Sequence, residues 1–368
     1  MAATAVKVIQ KDALPSWVAT LMTEAVVIGP RRGPYQDAQL APVTSAQQVD
    51  LDYTHDLLPP TRYLLPPSEV LFRFQFQNGD GPTLTPEYDE RRRIFFGVRS
   101  CDVKALRYQE RFFQRDFPDI YVGTRVRNAA VISLACTAPP LPTCFCACCD
   151  GGPLLRPGEG CDIQLIPLEG RYLVEVDSEA GERLVAGSPE LFREATGADL
   201  SKRDVAFAGM DQRFSTSAYL ARGIAKVTND AVPAALWEEL AEGCIGCGGC
   251  SYLCPLCTCF TVVDRTRNGK TGERIRRWDH CLLAGFTREA SGHNPRAERG
   301  VQFKRRFFHK LSYPYMQREG RPGCVGCGRC LTACMMGVDM AAVLLRFREL
   351  SRKPKWGPPW AAKPKTSP

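Results

Sequence analysis

The chain has 368 residues, 44% of them hydrophobic and 24% charged, which is enough to bury two ordinary cores and rules out a crosslink-dependent mini-protein. Its 48 basic against 40 acidic side chains leave a formal charge of +8, which favours acidic partners. No basic stripe with interleaved aromatics stands out beyond KRRFFHK, so a nucleic-acid partner is not expected. No uninterrupted apolar run reaches the roughly 18–20 residues of a membrane span, and the N-terminus lacks a signal peptide's basic start, apolar run and cleavage site. A cytoplasmic chain without direct membrane insertion is therefore expected.

Cytosolic thiols are kept reduced, so the 18 cysteines do not read as a disulfide framework; metal or iron–sulfur ligation remains. In chain order, RIFFGVR (93–99) reads as a buried strand, and Ser100-Cys101-Asp102 opens a helix over VKALRYQERFF. Cys101 thus stands at a strand end beside a helix N-terminus, whose dipole favours a thiolate. A second strand, AAVISLA, ends at Cys136, and the loop TAPPLPTCFCACCDGGP carries Cys144, Cys146, Cys148 and Cys149. Four of these thiols, Cys101, Cys136, Cys144 and Cys146, suffice for one cluster. Their irregular spacing follows no general rule, however, and buried free cysteine is the alternative. RYLVEV (171–176) reads as a third strand, and Cys161 carries no special signal.

Beyond residue 240 the pattern sharpens. Cys244, Cys247, Cys250 and Cys254 are repeated by Cys324, Cys327, Cys330 and Cys334, each pair 80 residues apart. The C-x2-C-x2-C-x3-C spacing is that of bacterial two-cluster ferredoxins, in which the fourth cysteine of each run ligates the other cluster. Three thiolates on a tight loop reach three corners of one cubane, and the fourth, carried off by the following helix, reaches its neighbour. The spacing therefore pairs Cys244, Cys247, Cys250 and Cys334 around one [4Fe–4S] cluster, and Cys324, Cys327, Cys330 and Cys254 around a second. Zinc sites use separated C-x2-C pairs instead of triplets. Pro255 follows the first run, whereas Met335 stands where ferredoxins place the second proline. Gly246, Gly248, Gly326 and Gly328 suit loops in which backbone must approach the inorganic core without a Cβ.

Between the runs, FTVVDRTRNGKTGERIRRW (260–278) reads as a β-hairpin turning at Asn268-Gly269. WDHCLLAGFTREASGHNPR and KRRFFHK read as helical. The basic groups Arg274, Arg276, Arg277 and Lys304, Arg305, Arg306 read as solvated faces, and His280, His293 and His309 as solvated or core histidines. Asp339 opens a closing amphipathic helix, MAAVLLRFREL, and the basic, proline-rich 351–368 reads as a disordered tail. The expected fold is α+β: an N-terminal α/β domain over 1–225, a mostly helical ferredoxin-like dicluster domain over 226–350, and the tail.

The chain resembles the iron–sulfur protein family that includes the A component of anaerobic sulfite reductase and the beta subunit of cytoplasmic NiFe sulfhydrogenases. The resemblance rests on LLPPTRYLLPPSEVLFRF, FFGVRSCDVKAL, the C-T-x-P-x3-T-C-F-C element from Cys136, RYLVEVDSEAGERL, CGGCSYLCPLCTCF, RRWDHCLLAGFTREASGHNPR, FFHK and the second run, collinear from about residue 50 to 350. It implies an electron-transfer subunit working between a flavin subunit that meets NAD(P)H and a separate catalytic subunit of hydrogenase or sulfite reductase type. It also implies a third cluster, at Cys101, Cys136, Cys144 and Cys146. Cys148-Cys149-Asp150-Gly151-Gly152-Pro153 replaces the usual Ser-Met-Gly-Thr-Gly-Pro type of loop, which puts that ligand set in question. Cys257, Cys259 and Cys281 match the family pattern without an assigned role.

No G-x-G-x-x-G fingerprint or Walker loop is present, so neither flavin nor nucleotide is expected on this chain and the hydride chemistry of NAD(P)H falls to a partner. The competing reading is a redox enzyme whose N-terminal cluster, with Cys148 or Cys149 nearby, binds substrate directly.

Overall fold

The computed structural model describes residues 5–35, 37–76 and 81–350; the tail 351–368 lies outside the described residues. Helices are mixed with two sheets. The strands in chain order are β1 (Ala5–Gln10), β2 (Val26–Arg32), β3 (Ala38–Pro42), β4 (Ser68–Gln75), β5 (Thr83–Pro86), β6 (Arg93–Arg99), β7 (Ala129–Leu134), β8 (Ile163–Leu168), β9 (Arg171–Val176), β10 (Phe192–Glu194), β11 (Phe260–Arg267) and β12 (Thr271–Trp278).

The larger sheet runs β10-β1-β9-β8-β7-β6-β2-β3, with β2, β6, β7 and β8 parallel to one another and the outer pairings antiparallel. Every residue of β6 is buried, as befits a parallel strand covered on both faces. Its side chains alternate between two cores. Ile94 and Phe96 pack with Trp17, Ile132 and Leu165, while Phe95 packs with Val103, Leu106 and Val131. The helix Ser100–Gln114 starts directly at the end of β6 and Cys136 lies just past the end of β7. Two cysteines therefore leave the sheet at the carboxyl ends of adjacent parallel strands, where open α/β sheets collect ligands.

The smaller sheet, β11-β12-β4-β5, is antiparallel throughout and joins distant parts of the sequence. The hairpin β11–β12 turns at Asn268 and Gly269 with φ of 46° and 68°, the pair of positive values that a type I′ turn requires. Its second strand lies on β4, where Arg276 reaches across to Glu69 at 2.7 Å and also pairs with Asp119. Arg276 is only 2% exposed, so this basic residue is an internal tie and not part of a solvated face.

After β12 the stretch 279–296 is a series of turns and not the expected helix. Asn294 holds it, its amide donating to Ala284 O at 2.7 Å and its carbonyl accepting from Thr287 Oγ1 at 2.7 Å and Arg296 N at 3.0 Å. Such side-chain bonds compete with a helical ladder. The helix resumes over Arg299–Leu311 and takes in the KRRFFHK segment. That helix packs with Leu220–Thr228, Ala234–Glu242 and Met340–Glu349 around Trp237, Phe303, Phe307, Leu344 and Phe347. Asp339 caps the last of these, accepting from Ala341 N at 2.9 Å and Ala342 N at 3.1 Å.

Candidate metal centres

Two cavities inside the cysteine-rich half draw on both repeated runs. The first is lined by Cys244, Cys247, Cys250 and Cys334, closed by Phe303 and Arg306. The second is lined by Cys324, Cys327, Cys330 and Cys254, with Phe145, Arg306 and Lys310. Each cavity thus receives three cysteines from one run and the fourth from the other, and Arg306 borders both. Among the described residues no three His, Cys, Asp or Glu side chains gather tightly enough for a single ion. Each hollow is instead walled by four cysteines, and cysteine thiolates are the donors that polynuclear iron–sulfur clusters take.

The tight loops owe their shape to neighbouring backbone. Gly326 has φ +64°, and a Cβ there would lie 2.5 Å from Phe145 O. Phe145 N in turn donates to Gly326 O at 2.8 Å, so the loop of residues 143–149 is laced to the second run. Cys144 Sγ adds a long contact of 3.8 Å to Cys327 O, and Thr143 Oγ1 meets Thr332 Oγ1 at 3.0 Å.

This lacing brings the upstream thiols beside the second cavity. Cys101 and Cys146 pack with Cys327, Val325 and Leu256 in one buried cluster. Cys101, Cys136, Cys144 and Cys146 are all buried, none more than 7% exposed. Burial, with Asp102, Cys327 and Cys146 close by, pushes the Cys101 thiol well up. Burial likewise pushes Cys144 up to about 11, with Cys136 adding to the shift. Cys136 is raised by burial against the pull of Arg99. Thiols in such surroundings ionise only if a metal supplies the compensating charge. Cys148 is exposed, whereas Cys149 is buried beside Cys324, and the pair raises the Cys149 thiol and lowers that of Cys324.

Two cations serve the cavities from the helix Arg299–Leu311. Lys310 Nζ donates to Cys254 Sγ at 3.2 Å and to Gly323 O at 3.1 Å. Arg306 donates to Ser251 Oγ at 2.9 Å and Cys250 O at 2.6 Å. Both residues are buried, and although burial opposes their charge, the surrounding cysteine sulfurs hold both above their ordinary pKa. Arg306 is therefore not a solvated residue. Residues 306 and 310 are one turn apart, so a single helix face delivers both charges.

His280 is buried with its ring edge-on to Tyr252, His293 is exposed, and His309 is lowered to about 4 by burial and by Lys310 and Arg305. Two groups give no sequence signal. His55 is 7% exposed and held neutral, its pKa lowered by burial and by Arg329 and Arg99; it lies near the backbone at Cys327, yet neither ring nitrogen finds a well-formed partner. The buried ion pair of Arg329 and Asp102, at 2.6 Å, ties the second run to the helix that carries Cys101. Cys161 packs beneath the sheet with Leu155 and Phe95, away from the cavities.

Two cavities walled by repeated cysteine runs define an iron–sulfur protein, and residues 243–338 match the family model of the 4Fe-4S dicluster domain. The chain is 30% identical over 312 residues to the sulfhydrogenase 2 subunit beta of Pyrococcus furiosus, covering 83% of this chain and 88% of that protein; it belongs to the sulfhydrogenase beta-subunit family of iron–sulfur subunits. No solved structure matches it. Among the described residues no helix is long and apolar enough to cross a membrane.

Proposed function

We propose that this chain is the electron-relay subunit of a cytoplasmic hydrogenase-type or sulfite-reductase-type complex, passing single electrons between a flavin subunit that meets NAD(P)H and a separate catalytic subunit. The observation that carries this reading is the line of three thiol sets. Cys244, Cys247, Cys250 and Cys334 surround one cavity, Cys324, Cys327, Cys330 and Cys254 the next, with Arg306 on the wall of both. Cys101 and Cys146 pack in one buried cluster with Cys327 of the second set. In this reading the sets hold two [4Fe–4S] clusters and a third at Cys101, Cys136, Cys144 and Cys146. Bound clusters supply one-electron carriers of tunable potential.

The protein's own residues do the rest. Arg306 and Lys310 keep positive charge beside the central sulfurs, which favours the more negative, reduced form. Phe303 on the first hollow and Phe145 on the second exclude water from them. The domain division follows the same line: an α/β unit over 1–225 contributes the third thiol set and the dicluster unit over 226–350 the other two, with the hairpin β11–β12 clamping them together.

The test is iron and acid-labile sulfide content of the anaerobically purified chain and of a Cys101→Ser, Cys144→Ser double variant. About twelve irons per chain falling to about eight supports three clusters so held. Eight in both removes the third cluster from the relay.

A further inference from the structure

Three cysteines remain outside the thiol sets in this half of the chain, Cys257, Cys259 and Cys281. Two of them are brought together by the hairpin. Cys259 immediately precedes β11 and Cys281 lies three residues past β12. The last register pair of the hairpin is Phe260 with Trp278, and the ladder is extended by Asp279 N donating to Cys259 O at 3.1 Å. The chain then bends back at 279–281 and sets Cys281 beside Cys259, so that both line the same two hollows and each shifts the acidity of the other. Two thiols set side by side at the base of a hairpin are candidates for a disulfide.

The pair has two sides. Inward, a narrow hollow connects Cys259 and Cys281 with Cys257, Arg306 and Lys310, and Lys310 bonds Cys254 of the second thiol set. Outward, both thiols line an open cavity of about 540 Å³ whose other walls include Arg115, Asp116, Asp119, Arg296, Arg305 and His309. Phe112, Phe113, Phe117, Phe260 and Phe286 supply its apolar surface. The volume is that of a small-molecule site; Asp116 is paired with Arg115 and Asp119 with Arg276, so Arg296 and Arg305, set among aromatic rings, are the guanidinium groups facing a compact organic anion.

We propose that Cys259 and Cys281 form a redox-active dithiol–disulfide couple between the iron–sulfur centres and this outer cavity, and that the cavity takes a small anionic disulfide. The proposal rests on the relay reading above, since the couple needs one-electron donors behind it. In the forward direction the Cys281 thiolate attacks one sulfur of the substrate R–S–S–R′, forming a Cys281–S–S–R bond and releasing R′–S⁻. The Cys259 thiolate then attacks Cys281 Sγ, releasing R–S⁻ and leaving the Cys259–Cys281 disulfide. Two electrons, delivered one at a time from the reduced clusters, and two protons from solvent restore the two thiols. The sum is R–S–S–R′ + 2e⁻ + 2H⁺ → R–SH + R′–SH. The contact with Cys259 lowers Cys281 to about 6 against the opposing effect of burial, so the attacking thiolate is present at neutral pH.

The experiment uses the full chain purified anaerobically with its clusters, together with Cys259→Ser, Cys281→Ser and the double variant. The protein is exposed to oxidised glutathione as the anionic disulfide, alkylated and mapped by mass spectrometry, then reduced with dithionite and mapped again. The expected result is a Cys259–Cys281 disulfide in most chains after oxidation and both thiols free after reduction. Iron content is expected to be unchanged in all three variants, and Cys259→Ser to trap a glutathione adduct on Cys281. A loss of about four irons in either variant overturns the proposal by making these cysteines cluster ligands. Unchanged iron with no disulfide and no adduct also overturns it. Failure of the relay reading is separate and visible in the wild-type chain, as the absence of iron whatever the thiols do.

Discussion

Arg329 and Asp102 meet in a two-pronged ion pair, 2.6 and 3.0 Å, and neither side chain is exposed to solvent. Arg329 follows Cys327 in the second cysteine run, and Asp102 follows Cys101 on the helix leaving β6. The pair therefore fixes the distance between the second and third thiol sets. Arg329 Nε also donates to Asp56 O at 2.8 Å, so the guanidinium anchors the segment that carries His55 as well. Removing one partner leaves an uncompensated buried charge, at a cost of about 3–5 kcal/mol. Asp102→Asn and Arg329→Met are each expected to lower the thermal midpoint by roughly 10 °C and to lose iron on purification. The double change Asp102→Leu, Arg329→Met should recover part of the midpoint. Single variants as stable as the parent in a thermal melt sink this account.

The contact between Lys310 and Cys254 sets a potential. A charge-assisted hydrogen bond to sulfur at 3.2 Å favours the reduced centre, because reduction adds negative charge beside the ammonium. Such a bond is worth about 1.5–3 kcal/mol, and a one-electron couple shifts about 59 mV per tenfold. Lys310→Met should therefore move one cluster potential to more negative values by tens of millivolts, up to about 130 mV. Lys310→Arg should move it less. A redox titration followed by EPR reads the shift, and a potential that stays put or rises in Lys310→Met rejects the role.

Two glycines at matching places in the repeats separate backbone strain from crowding. Gly246 and Gly326 have φ of +71° and +64°, but a Cβ on Gly246 meets nothing within 4 Å whereas one on Gly326 meets Phe145 O at 2.5 Å. Gly246→Ala should cost only the left-handed penalty of about 1–2 kcal/mol and keep its full iron. Gly326→Ala must also push the 143–149 loop off the second run, and loss of about four irons or of soluble protein is expected. Equal iron and equal melting temperature in the two variants argue against the lacing of that loop.

Several of these features are legible in the sequence because they are local. The cysteine runs, the Asn268-Gly269 turn, the buried β6 strand and the Asp339 cap each follow from a few neighbouring residues. What the sequence hides is what depends on the encounter of distant segments. Nothing in RTRNGKTGERIRRW announces that Arg276 will be buried against Glu69, or that the hairpin will extend a sheet begun at β4. The turns of 279–296 read as helix because apolar spacing over Leu282, Leu283 and Phe286 outweighs Gly285, Gly292 and Asn294. His55 lies in a stretch without regular structure, and its lowered pKa comes from burial and from Arg329 and Arg99, 274 and 44 residues away. The approach of Cys259 to Cys281 is likewise out of reach, since their 22-residue separation carries meaning only once the hairpin is seen to close between them.

The acidity of Cys281 gives a prediction in pH. The neighbouring Cys259 lowers the Cys281 pKa to about 6, burial raises it, and Arg306 and Lys310 lower it further. The thiolate is the reactive form, so alkylation of Cys281 by iodoacetamide should rise through a midpoint near pH 6 and level off by about pH 7.5. In Cys259→Ser the hydroxyl is a weaker substitute for the thiol partner, and the midpoint should move up toward the free-cysteine value of about 8.5. Peptide-resolved labelling from about pH 5 to 9 on the reduced, cluster-containing chain reads both curves. A midpoint near 8.5 in the parent shows Cys281 to be an ordinary thiol. An unshifted curve in the variant assigns the acidity to Arg306 and Lys310 instead of Cys259.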